Sequence, residues 1–174
     1  MCSSDLLRQA QPRFQRSSAN GELRQLALYL DLREAAIGID HPLDDLFFIL
    51  CQAFLQTFGK SPDDVGSNEP YQVFALMREW LDEDPERRLL LLFDGADAFL
   101  RVDGNAGFWR TARFRGLMDD ANYRERIKVV FAGNQDALRA GTAENHPLAQ
   151  YGEPIVLGPF AVDRQEDPAA ARLL

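Results

Sequence analysis

Leu89 to Leu100 reads LLLLFDGADAFL, a run of large apolar residues that stops at Asp94, Gly95, Ala96 and Asp97. Five consecutive apolar residues cannot present one wet and one dry face, so the run predicts a strand covered on both sides, as parallel strands of α/β domains are. Burying that run against two helix layers is favourable, whereas an unpaired buried carboxylate is strongly disfavoured. Asp94 is therefore expected where the strand leaves the core and its carboxylate meets a cation, water or a basic partner. That is the edge at which open α/β sheets bind ligands. A plainer reading stays open, in which an interior strand is followed by a solvated loop and DGAD supplies turn residues.

On the N-terminal side, Asp5 to Arg16 predicts a short helix interrupted by Pro12, and Ser17 to Gly21 is turn material. LALYLDL, Leu26 to Leu32, reads as a second buried strand with one acid near its end. His41 and Pro42 open a helix with Asp44 and Asp45 in its first turn, where acids suit the helix dipole. Leu46, Phe47, Leu50, Phe54 and Phe58 follow helical spacing, and Gly59 closes the element. A polar loop over 60–69 precedes a helix over Pro70 to Asp82 that packs Val73, Leu76, Met77 and Trp80 inward.

Beyond the central stretch, Ala106 to Tyr123 predicts one helix with Phe108, Trp109, Ala112 and Leu117 inward and its arginines outward. IKVVFA, Ile127 to Ala132, is a third strand, ending at Gly133, Asn134 and Gln135. Gly141 to Gly152 is a polar loop, Ile155 to Leu157 a short fourth strand ended by Gly158 and Pro159, and Arg164 to Leu174 begins a last helix. Strands separated by helices imply right-handed crossovers and a parallel sheet.

The 174 residues suffice for one domain with a real core, and 46% hydrophobic with 26% charged residues is an ordinary globular composition. A formal net charge of -8 argues against a broad phosphate-binding face on this segment, so nucleic acid is not an expected partner. Cys2 and Cys51 form neither a metal spacing nor a disulfide framework, which favours a reduced, cytoplasmic setting. His41 and His146 do not make a metal site. No run of about 18 apolar residues exists, so no membrane span is expected.

The order of these elements resembles the core of P-loop ATPases of the AAA+ and STAND (signal-transduction ATPase) type. LLLLFDGADAFL is similar to their Walker B strand, RIKVVFAGNQD to their sensor 1 strand, and HPLAQYGEPIVLGPF to the loop and final strand of bacterial STAND-like ATPases, which a lid helix follows. The resemblance implies a three-layer α/β fold with the parallel sheet of a P-loop NTPase (ASCE) core over 1–160 and the start of a lid helix over 161–174. No GxxxxGK[ST] phosphate loop is present, and Ser4 to Arg8 is similar to the first turns of the helix that would follow one. The chain is therefore expected to start just after its own phosphate loop, by truncation rather than evolved loss. A gap or a collapsed sheet is expected between the Ile127 and Ile155 strands, where the strand preceding the phosphate loop is absent.

Carried over onto matching positions, the resemblance implies that Asp94 positions the water shell of Mg2+ bound to ATP. It implies further that Asn134 is the sensor of the attacking water or γ-phosphate, and that Asp97 is the remaining acid able to orient water. Many AAA+ relatives place Glu directly after the Mg2+ aspartate, where this chain has Gly95; fast hydrolysis is not expected. Arg110, Arg113 and Arg115 read as a solvated helix face before they read as an arginine finger. The implied function is an ATP-dependent switch whose partners are nucleotide, further domains of a longer parent and possible further copies, with weak or no ATP binding by the segment alone. Two alternatives stand beside it: a degenerate, non-catalytic interaction module, and an origin-recognition-like DNA-binding ATPase, which would need a basic winged helix beyond Leu174.

Overall fold

The computed structural model describes residues 3–17, 21–33, 45–61, 72–142, 146–150 and 155–156. Its elements are helix α1 (Ser3–Phe14), strands β1 (Arg16–Ser17) and β2 (Leu23–Asp31), helices α2 (Asp45–Gln56) and α3 (Gln72–Asp82), strand β3 (Arg88–Asp94), helices α4 (Ala96–Asn105) and α5 (Trp109–Asp119), strand β4 (Ile127–Phe131) and helix α6 (Gln135–Thr142). A 3-10 turn spans Pro147–Gln150. The helix start at His41 and Pro42, the loop over 62–69, Pro70, Cys2, the positions after Val156 and the lid-helix start over 161–174 lie outside the described residues.

The sheet runs β1-β2-β3-β4, with β2, β3 and β4 parallel and the two-residue β1 antiparallel to β2. This is an α/β fold: a small three-strand parallel sheet with flanking helices. Period-two alternation divides the strand residues between two faces. On one, Leu26, Leu28 and Leu30 lie beside Leu89, Leu91 and Phe93, and these beside Ile127, Val129 and Phe131. All nine belong to, or pack against, one core shared with α2, α3 and α5, in which Phe114 sits 5.1 Å from Phe93 and 5.5 Å from Phe47 between ring centroids. On the other face α1 lies over β2 and β3, with Gln11 donating to the Ala27 carbonyl at 3.1 Å. Pro12 does not end α1; beyond it Gln15 N–H still donates to Gln11 O.

Coverage decides how each strand reads. Between Arg88 and Asp94 β3 is apolar, with helices on both of its faces, whereas β4 alternates, with Lys128 and Val130 exposed. Among the described residues β4 is the last strand of the sheet. Ile155 and Val156, expected in a fourth strand, are in none and are 89% and 68% exposed. A run so short needs a neighbouring ladder to hold it, and among the described residues none accompanies it.

The single helix expected over Ala106 to Tyr123 is instead a break followed by α5. Gly107 and Phe108 both take positive φ, 75° and 57°, which no right-handed helix accommodates, and Ala106 is only the C-cap of α4. The buried side of α5 is Arg110, Thr111, Phe114 and Leu117; Ala112 is exposed and Arg110 points inward. The cause is Asp103, wholly buried near the end of α4. Its carboxylate accepts from Arg110 N–H at 3.2 Å, Thr111 N–H at 2.9 Å and Thr111 Oγ1 at 2.7 Å, capping α5 from a neighbouring helix. Arg110 supplies charge balance at 3.6 Å while stacking over Trp109. Asp103→Ala strips the acceptor from three buried donors and is expected to lower the unfolding free energy by about 2–3 kcal/mol, read from the urea midpoint at unchanged slope; a loss below about 0.5 kcal/mol would show that the cap is dispensable.

Candidate functional site

Parallel register places Asp31 of β2 directly beside Asp94 of β3 at the C-terminal ends of both strands. Their side chains are only 5% and 2% exposed. Two neighbouring carboxylates so withdrawn from water repel one another unless a cation stands between them. Arg33, two residues past the end of β2, supplies it. Its Nε donates to Asp31 Oδ1 at 2.8 Å, and its terminal nitrogen donates both to Asp31 Oδ2 at 2.7 Å and to Asp94 Oδ2 at 3.2 Å. Those carboxylates, Asp31 foremost, hold the guanidinium pKa above its usual value.

Two further groups complete the surroundings of Asp94. Tyr29 donates its hydroxyl to Asp94 Oδ2 at 3.0 Å and accepts from Arg8 Nε at 3.3 Å, so α1 is tied to the same cluster; Arg8 also lies 3.8 Å from Asp31. Burial, reinforced by Asp94, pushes the Tyr29 phenol above its ordinary pKa and keeps it a donor. Asp94 Oδ1 accepts from Gly95 N–H at 2.8 Å, and Leu32 N–H bonds the Asp94 carbonyl. The strand-end carboxylate thus stands where the apolar run predicts it, and its basic partner comes from the turn after the adjoining strand.

Asp97 and Asn134 are brought together, but through the backbone. Asp97 Oδ2 accepts from Asn134 N–H at 2.8 Å and Oδ1 from Ala137 N–H at 3.3 Å, so Asp97 caps the N-terminus of α6 from the first turn of α4. Gly133 leaves room for it, since a Cβ there would stand 2.8 Å from Asp97 Oδ2. Asn134 is exposed beside this cap, past the end of β4. Of the three arginines on α5, Arg110 is buried, Arg115 bonds Asp119 at 2.9 Å and Arg113 faces outward.

Asp31, Arg33, Tyr29 and Arg8 escape a reading of the sequence alone. A signal for the first exists, because both apolar runs, LALYLD and LLLLFD, end in aspartate; only strand register makes them neighbours. Among the described residues no three or more His, Cys, Asp or Glu side chains are grouped to hold a metal. Asp31 and Asp94, both bonded to Arg33, are the residues that would hold a hard cation such as Mg2+, which uses one or two carboxylates while keeping several waters. His146 is otherwise occupied, its ring edge-on to Phe108 and its Nδ1 accepting from Leu148 N–H; burial lowers its pKa. Burial raises the Cys51 thiol, which is the opposite of activation.

Removing the Asp97 carboxylate should fray one helix and leave the sheet intact. Asp97→Ala is expected to speed amide exchange across 137–142 by roughly fivefold, matching a lost cap of about 1 kcal/mol, with β3 amides unchanged; equal protection in the variant would remove the capping role.

No protein-family model matches this chain, nor does any curated protein or solved structure.

Proposed function

We propose that the chain is the sheet core of an ATP-dependent switch of the P-loop ATPase type, in which Asp94 holds the water shell of nucleotide-bound Mg2+ and turnover is slow or absent. The observation that carries the reading is the buried carboxylate at the C-terminal end of the middle parallel strand, beside a second aspartate in register. A divalent cation there neutralises phosphate charge and bridges it to the sheet. Asp94 and Asp31 are the groups able to face it. Tyr29 and Gly95 orient the Asp94 oxygens, and the apolar strand behind them keeps water from the rear.

Slow chemistry follows from what Asp97 does. Both of its oxygens accept from backbone N–H groups at the start of α6, so the acid expected to orient water also ties α4 to α6. Asn134, at that joint, is exposed to whatever lies over the sheet edge, so a ligand bound there bears on α6 directly. Switching by occupancy suits such a joint better than rapid turnover does. The sequence carries no GxxxxGK[ST], so phosphate contacts are not assigned to any of its residues, and binding by these 174 residues alone is weak.

A second reading draws on a specific feature: Arg33 already neutralises Asp94, as a non-enzymatic interaction module with no need of nucleotide would do. Calorimetric titration with Mg2+–ATP separates the two. The switch reading expects weak binding that requires Mg2+ and falls at least tenfold in Asp94→Asn, about 1.4 kcal/mol. Heat that is absent, or indifferent to both Mg2+ and Asp94→Asn, moves the assignment to the interaction module.

A further inference from the structure

We propose that Arg33 is a built-in counter-ion that closes the Asp94 site to outside cations, and that Gly95, lacking a side chain, leaves Arg33 room to lie across it. The inference rests on the reading of Asp94 as a cation site and adds how that site is regulated. A Cβ built on Gly95 would stand 2.6 Å from Arg33 Cγ, 2.7 Å from Cδ and 2.8 Å from Nε, all below any real contact distance. Gly95 also holds a φ of 65° at the N-terminus of α4, a conformation that glycine adopts without cost. Backbone shape selects glycine, and any Cβ added there meets the flexible Arg33 side chain and has to push it aside.

The two halves of the contact differ in what they lose when it breaks. Arg33 is 55% exposed, so its guanidinium can turn to water, while the Asp94 side chain is 2% exposed and cannot. A state in which Arg33 has left keeps the Tyr29 and Gly95 donors on Asp94 but leaves its charge for another cation to balance. The Asp31 grip is separable, since Arg33 holds Asp31 through Nε and the terminal nitrogen at 2.8 and 2.7 Å but reaches Asp94 through the latter alone, at 3.2 Å. Release from Asp94 can leave the Asp31 pair made, which makes the contact a latch with a fixed hinge. The raised guanidinium pKa keeps Arg33 charged, so what displaces it from Asp94 is a competing cation.

Mn2+ alone, followed by water-proton relaxation, tests the latch in the full chain. Four forms are compared: wild type, Arg33→Gln, Gly95→Ala and Arg33→Gln combined with Asp94→Asn, each checked for folding by circular dichroism. The expected result is Mn2+ binding at least tenfold tighter in both Arg33→Gln and Gly95→Ala than in wild type, with the gain abolished by Asp94→Asn. Gly95→Ala reaches the same end by pushing Arg33 aside, so the test survives if one variant does not fold. Equal affinity in wild type and Arg33→Gln, or a gain that persists without Asp94, overturns the latch and leaves the nucleotide reading standing. A gain in Arg33→Gln but none in Gly95→Ala overturns the role given to Gly95. No Mn2+ binding in any form overturns both the latch and the cation reading beneath it.

Discussion

Two carboxylates held side by side at the buried ends of adjacent parallel strands are the constraint on which this structure turns. Apolar residues drive β2 and β3 together, and register then leaves Asp31 and Asp94 as neighbours with little access to water. That arrangement is tolerable only with positive charge between them. Arg33 provides it from two residues beyond Asp31, and Arg8 and Tyr29 extend the cluster to α1, which has no fully buried side chain among those described. The polar cluster thus anchors a helix that packing alone holds loosely.

Acids perform a second task elsewhere in the fold. Asp97 and Asp103 each lie in one helix and cap another, so the strand-to-helix and helix-to-helix joints after β3 are made by carboxylates accepting backbone N–H groups. In such a chain an aspartate in the sequence signals geometry as readily as chemistry. The C-terminal edge of the sheet combines both, with Asp97 carrying α6 and Asp94 facing the Arg33 guanidinium. A ligand that changes one is mechanically close to the other, through Gly95 and the first turn of α4.

Much of the fold was legible in the sequence. The three parallel strands stood out because their apolar runs are bounded by polar or glycine residues, and β3 was recognisable as central because it lacks a wet face. The break between α4 and α5 was not, since it depends on Phe108 at positive φ and on a cap from Asp103 seven and eight residues away, neither of which helical periodicity encodes. The inward turn of Arg110 followed from the same cap. At the site, Asp94 was found from its position at the end of an apolar run. Asp31 and Arg33 were not, because inter-strand register is a property of the folded sheet. Asp97 and Asn134 were singled out separately, one as an acid and one as a sensor; that a backbone bond joins them as a helix cap is a property of the folded sheet edge.

The internal ion cluster underlies both the stability of the sheet edge and the function proposed for it, and it is accessible without any ligand. A double-mutant cycle in urea unfolding, with Arg33→Gln, Asp94→Asn and both together, measures it most directly. Charge shared across the strand ends predicts a coupling of about 1 kcal/mol or more, the double variant losing less than the sum of the singles. Losses that add within about 0.3 kcal/mol would mean that Arg33 does not hold Asp94 in solution and would contradict the account.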